Sequence, residues 1–152
     1  MSTPVLRENQ GSAITATYSA LGTTLASTTT AGTYSSATRI NNSSIAALLA
    51  DVRVKGSFGT SPAGTGVLQL CVIDRDLSGN IGPTPSASVL GKFYTLTPTP
   101  SGTSSVVYGA DSIPLPYDCD LYIMNNATGQ TFTYDTGTTP YPLTIQPWSP
   151  GT

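Results

Sequence analysis

No histidine occurs anywhere in the chain. That removes the commonest general base and metal ligand, and with it the Ser-His-Asp and Cys-His forms of nucleophilic catalysis. Charge is scarce as well: 9% of the 152 residues are Asp, Glu, Lys or Arg, against about a quarter in ordinary soluble domains. The six basic residues never cluster more closely than Arg53 and Lys55, and the formal charge is −2. Such a field is too weak to steer nucleic acid, so no nucleic-acid partner is expected. No apolar run reaches the roughly 18 residues of a membrane span, and Met1–Gln10 has no signal-like apolar region. The expectation is a protein made in a cytoplasm, with no membrane partner. Cysteine is limited to Cys71 and Cys119, whose plain reading is small apolar filler of buried strands. A disulfide would need their Cα atoms within about 7 Å, which spacing leaves open. Neither has the cationic surroundings that make a thiol reactive.

What replaces charge is Ser, Thr, Gly and Pro, in a pattern of short strands divided by turn signals. The stretch from Pro114 to Gln130 is the clearest: a proline-bounded bend, a strand over Asp120–Asn125, a turn at Asn126–Gly129 and another strand over Thr131–Tyr134. Leu121 and Ile123 share one face and Tyr122 and Met124 the other, the mark of a central strand covered on both sides. Ser44–Phe58 has the clearest period, although its first few residues could pass for a helical turn: Leu48, Ala50, Val52, Val54, Gly56 and Phe58 alternate with Leu49, Asp51, Arg53, Lys55 and Ser57, predicting a strand with one wet face. The charges on that face would discourage edge pairing with another copy. Val67–Arg75 is apolar on both faces and reads as the partner of a hairpin with it. Ala13–Tyr18, Val89–Leu96, Ser105–Tyr108, Ser112–Leu115 and Leu143–Gln146 complete about eight short strands, with no helix predicted and with Leu21–Thr33 a long loop or weak edge. This pattern predicts an all-β fold, an antiparallel β-sandwich of jelly-roll-like form; a closed barrel is the alternative. The expected organisation is an N-terminal arm over 1–11, one sandwich domain over 12–147 and a C-terminal tail over 148–152.

Candidate chemistry is thin. Asp74 and Asp76, two apart on a strand, would hold their carboxyl groups roughly 6–7 Å apart, within glycosidase range, but the same residues make an ordinary polar turn. Asp74, Asp76, Ser78 and Gly79 match the first, third, fifth and sixth positions of a calcium loop, yet Pro85 stands where the bidentate Glu is needed. Asp118 and Asp120 flank Cys119 without a third acid nearby in sequence. No catalytic residue, cofactor or metal is assigned, and the chain is read as a non-enzyme. Tyr117, Tyr134, Tyr141 and Trp148 gather toward the C-terminal end; strand tyrosines read as core, whereas Trp148, between Pro147 and Pro150, either folds over an open end of the sandwich or docks on another subunit. Val5, Leu6, Arg7 and Glu8 in the arm, with Trp148, are the candidate contacts with another subunit.

The order of four segments carries a resemblance: VLQLCVIDRD (67–76) opening into a Gly- and Pro-rich loop, VLGKFYTL (89–96), IPLPYDCDLYIMNNATGQTF (113–132) and PLTIQPW (142–148). Over roughly Asp51 to Trp148 the chain resembles small virion proteins of tailed bacteriophages, the capsid decoration or cement proteins. The resemblance implies a jelly-roll-like sandwich on the head surface, a homo-oligomer (dimer or trimer) that bridges subunits of the major capsid protein. It brings no catalytic or ligand residue. A tail or fibre module that binds a host receptor or glycan is the alternative reading, and a free carbohydrate- or calcium-binding domain is a further one.

Overall fold

Alternation along one strand sets the frame. Leu49–Phe58 forms β6, in which every second residue from Ala50 to Phe58 is buried and the intervening ones are partly buried. The computed structural model describes residues 7–9, 12–16, 24–27, 33–34, 38–43, 45–62, 65–75, 92–135 and 142–150. Before β6 come β1 (Arg7–Asn9), β2 (Ile14–Ala16), β3 (Thr24–Leu25), β4 (Thr33–Tyr34) and β5 (Thr38–Asn41). After it come β7 (Val67–Asp74), β8 (Lys92–Thr95), β9 (Val106–Pro114), β10 (Asp118–Asn126), β11 (Phe132–Tyr134) and β12 (Leu143–Pro150). No helix occurs among the described residues.

The strands form two antiparallel sheets. In the first, β6 has β9 on one side, while on the other β12 covers Leu49–Val54 and β11 covers Gly56–Phe58. Outside these, β1 and β2 lie end to end along β12, and β3 lies along β11. In the second sheet, β10 is central, with β7 on one side and β5 and β4 end to end on the other, and β8 beyond β7. Each sheet thus has four columns: β1–β3, β11–β12, β6, β9 in one and β4–β5, β10, β7, β8 in the other. Read in chain order, the path crosses from one sheet to the other between β3 and β4, β5 and β6, β6 and β7, β8 and β9, β9 and β10, and β10 and β11. That is the jelly-roll path, and the all-β sandwich expected from the strand pattern is the fold observed.

Four expectations need correction. β6 and β7 are not a hairpin: they lie in different sheets, and the link between them passes Gly66, whose missing side chain lets it pack against the Ala127–Thr128 backbone. β6 is also no edge strand, so its charges do not guard an edge; Lys55 pairs with Asp135 at 2.7 Å and Arg53 with Asp111. Leu48 does not continue the inward row: the strand begins at Leu49, and Leu48 is 64% exposed. The two short pieces expected over Ser105–Leu115 are one strand, β9, with a bulge where Asp111 and Ser112 together oppose Asp51. The extra residue moves the inward row from Tyr108 and Ala110 to Ile113, a phase shift that hides one strand from a period-two reading.

Between the sheets lies the core: Val52, Val54 and Phe58 of β6, Leu68, Leu70 and Val72 of β7, Leu121 and Ile123 of β10, and Leu143 and Ile145 of β12. Phe58, Tyr108, Phe132 and Tyr134 form an aromatic group with centroids 5.2–6.4 Å apart. Phe132 packs over Gly56, where any Cβ would collide with its ring. As expected for a central strand, β10 is buried on both faces, and its outer side carries Tyr122 and Met124 beside Cys71 and Ile73.

Candidate contact surface

The acids considered for catalysis or metal binding are occupied structurally or stand apart. Asp118 and Asp120 point to the outer side of the second sheet. Arg39 donates from Nε and Nη2 to the two Asp118 oxygens at 3.1 and 2.6 Å, and Arg75 Nη2 donates to Asp120 Oδ1 at 2.8 Å. Arg39 is about half exposed, while the Arg75 and Asp120 side chains are 10% and 1% exposed. The Asp118 hydrogen bonds, foremost, raise the Arg39 pKa. Asp74 closes β7 at an exposed position, and Asp76 lies outside the described residues. Among the described residues no three His, Cys, Asp or Glu side chains come together as a metal site requires.

Both cysteines are free and buried. They sit on adjacent strands but face opposite sides of the sheet: Cys119 enters the main core, and Cys71, opposite Tyr122, joins the outer apolar group. Burial pushes the Cys71 thiol up to about 11, and burial, followed by the nearby Asp74 charge, pushes Cys119 up to about 12. Neither is a nucleophile near neutral pH.

Trp148 is not part of a tail. It is 5% exposed inside β12, opposite Leu49 of β6 and Asn9 of β1. Its Nε1 donates to Asp51 Oδ1 at 3.0 Å, and the Ser112 N–H of the β9 bulge donates to the same oxygen at 2.9 Å. Asp51 thereby ties three adjacent strands. Of the expected arm, Arg7–Asn9 is a strand paired with Trp148–Pro150 of the same chain, and Glu8 is exposed. Val5 and Leu6 lie outside the described residues.

What the structure does expose is one end of the sandwich. The 42–48 loop and the 115–117 loop are joined by two backbone hydrogen bonds, Asn42 N to Tyr117 O at 2.9 Å and Leu115 N to Leu48 O at 3.0 Å. Inside the first loop the Asn42 side chain takes both backbone groups of Ala47, donating to its carbonyl at 2.7 Å and accepting from its N–H at 3.0 Å. These bonds hold two large side chains outward, Leu48 at 64% and Tyr117 at 62% exposure. Leu48 N also donates to Ser149 Oγ, which places this end beside the close of β12 and the start of β1. Among the tyrosines expected in the core, Tyr134 is buried, whereas Tyr117 is not; Tyr141 lies outside the described residues. The sequence signal for Tyr117 is its place between Pro116 and Asp118 in a bend rather than in a strand. Leu48 had none, because it continues the parity of the inward row.

Searches for a matching family model, a similar curated protein and a similar solved structure each found none.

Proposed function

We propose that the chain is a structural virion protein of a tailed bacteriophage, one that decorates the head and bridges subunits of the major capsid protein, itself as a homo-oligomer. The observation that carries this reading is the end bearing Leu48 and Tyr117: two apolar anchors held by backbone hydrogen bonds, with the first and last strands of the chain meeting beside them. Exposed aromatic and aliphatic side chains on a rigid frame have the form of interface hot spots, because little ordering entropy is lost when they dock. The jelly-roll path, a fold that capsid domains use often, supports the reading by analogy only. A surface with few charges suits docking by shape, with weak contacts multiplied by avidity over a symmetric lattice. In this reading the protein acts in the virion, without catalysis or cofactor.

The test is add-back to heads stripped of the protein. Leu48→Ala and Tyr117→Ala, alone and together, are expected to weaken binding by about tenfold or more for the pair, while the melting temperature stays within a few degrees of the parent. Full binding by the double variant would overturn the assignment of this end as the contact.

A further inference from the structure

A second surface lies at the side edge of the sandwich, where the chain passes from one sheet to the other. β8 belongs to the second sheet, but two residues beyond its end Thr97 pairs with Gly109 of β9 in the first, through N–H to carbonyl bonds of 2.8 and 2.7 Å. The sheets diverge from this stitch. The space between β8 and the bulged part of β9 is an open groove of about 420 Å³, lined by Phe93, Tyr94 and Thr95 on one side and by Ala110, Asp111 and Ile113 on the other. An adjoining hollow of about 170 Å³ shares Thr97, Gly109 and Asp111 with it and adds Arg53 and Val107.

The chemistry of this lining is mixed in a particular way. Phe93 is 41% exposed, an apolar ring at the mouth of a groove. Arg53 lies across β9 at Gly109, where a Cβ would come within 2.7 Å of its Cδ, and its Nη1 donates to the carbonyls of Val52 and Ala110 at 2.9 and 3.3 Å. Its Nη2 donates to Asp111 Oδ1, and the two side chains remain 43% and 57% exposed. Thr97 Oγ1 donates to Gly109 O at 3.2 Å and, as a hydroxyl, can still accept. The charges cancel, so the groove does not select an anion or a cation. It offers a flat apolar surface, a fixed guanidinium–carboxylate pair with room for further donors, and a hydroxyl.

We propose that this groove binds a neutral saccharide, with the C–H face of a pyranose on Phe93 and its hydroxyls bonded to Asp111, Arg53 and Thr97. A pyranose has the matching duality, one apolar face and a rim of paired hydroxyls. The volume accommodates one or two rings, within the range of ordinary ligand sites. The groove is shallow and the groups are partly hydrated, so the affinity is modest, with a dissociation constant on the order of 1 mM. The groove residues are distinct from Leu48 and Tyr117, the residues assigned to head binding.

The test is a ¹⁵N–¹H correlation titration of the full chain with methyl glycosides of glucose, galactose, N-acetylglucosamine and rhamnose and with their disaccharides, at millimolar concentrations. The expected result is saturable shifts in the amides of 92–97 and 109–113 with at least one sugar. Phe93→Ala should weaken that binding roughly tenfold and Phe93→Trp should retain it, with unchanged melting temperatures showing that both variants fold. Absence of saturable shifts with every sugar, shifts confined to other amides, or undiminished binding by Phe93→Ala would each overturn the proposal.

Discussion

Asp51 accepts hydrogen bonds from the Ser112 backbone N–H and from the Trp148 indole, both at Oδ1. One carboxylate thus holds the β9 bulge and the end of β12 to the central strand. Asp51→Ala leaves a half-buried indole N–H and a bulge N–H without that acceptor, an expected loss of about 1–3 kcal/mol in urea unfolding. Asp51→Asn keeps an acceptor at the same place and should lose less. Because Trp148 is the only tryptophan, its emission should shift to the red in the alanine variant before global unfolding. The cysteines supply a pH dependence. Their ordinary pKa is 9.0, and burial raises Cys71 to about 11 and Cys119 to about 12 in the folded protein. Above pH 9 the unfolded chain therefore binds fewer protons than the folded one, so stability is full below that pH and falls as pH rises through about 11 to 12. Urea midpoints measured from pH 8 to pH 11 should decline in the parent and decline less in a Cys71→Ala, Cys119→Ala variant. Both thiols should be silent to a chromogenic disulfide at pH 8 until denaturant is added.

At the scale of elements, the two arginine–aspartate pairs on β10 differ in burial and should differ in consequence. Arg75→Ala strands the Asp120 carboxylate, 1% exposed, without its cation, at an expected cost of about 3–5 kcal/mol. Arg39→Ala removes a cation that is 47% exposed, and solvent screening should make the loss clearly smaller than that of Arg75→Ala. Equal losses in denaturant unfolding would contradict this account of the pairs. The elements also show what a sequence can reveal. β6 and β10 were legible because alternation on one and double-sided apolarity on the other are direct records of burial. β12 was legible only as far as Gln146, since Pro147 and Pro150 look like breakers. In the fold Pro147 falls in the gap between the stretch of β12 that faces β2 and the stretch that faces β1, where no outer strand needs its N–H. The β9 bulge hid a strand for a different reason, a one-residue change of phase. Which strands pair was not legible at all: β6 and β7 are neighbours in sequence with matching lengths, yet the jelly-roll path sends them to separate sheets.

For the whole molecule, the edges and ends decide what it can contact. The outer columns of the first sheet, β1, β2 and β3, are two or three residues long, and β9 is broken by its bulge. Such edges resist adding strands from another copy, which leaves side chains as the means of contact along the first sheet. Among the described residues, large apolar side chains stand out at the end with Leu48 and Tyr117 and at the groove with Phe93 and the adjoining Val107, and neither place was found by motif. Both depend on contacts between residues far apart in the chain, Leu48 with Leu115 and Thr97 with Gly109. Arg7–Asn9 pairs with Trp148–Pro150 within the chain, while Val5 and Leu6 lie outside the described residues.

The central claim, decoration of a phage head, is tested most directly by counting. Under the proposed function, quantitative mass spectrometry of purified phage particles gives the copy number of this chain relative to the major capsid protein. Decoration predicts one copy per capsid subunit or a simple fraction of it, set by the lattice axes occupied. A handful of copies per particle would place the protein in the tail or fibre instead, and absence from the particle would contradict a virion role altogether.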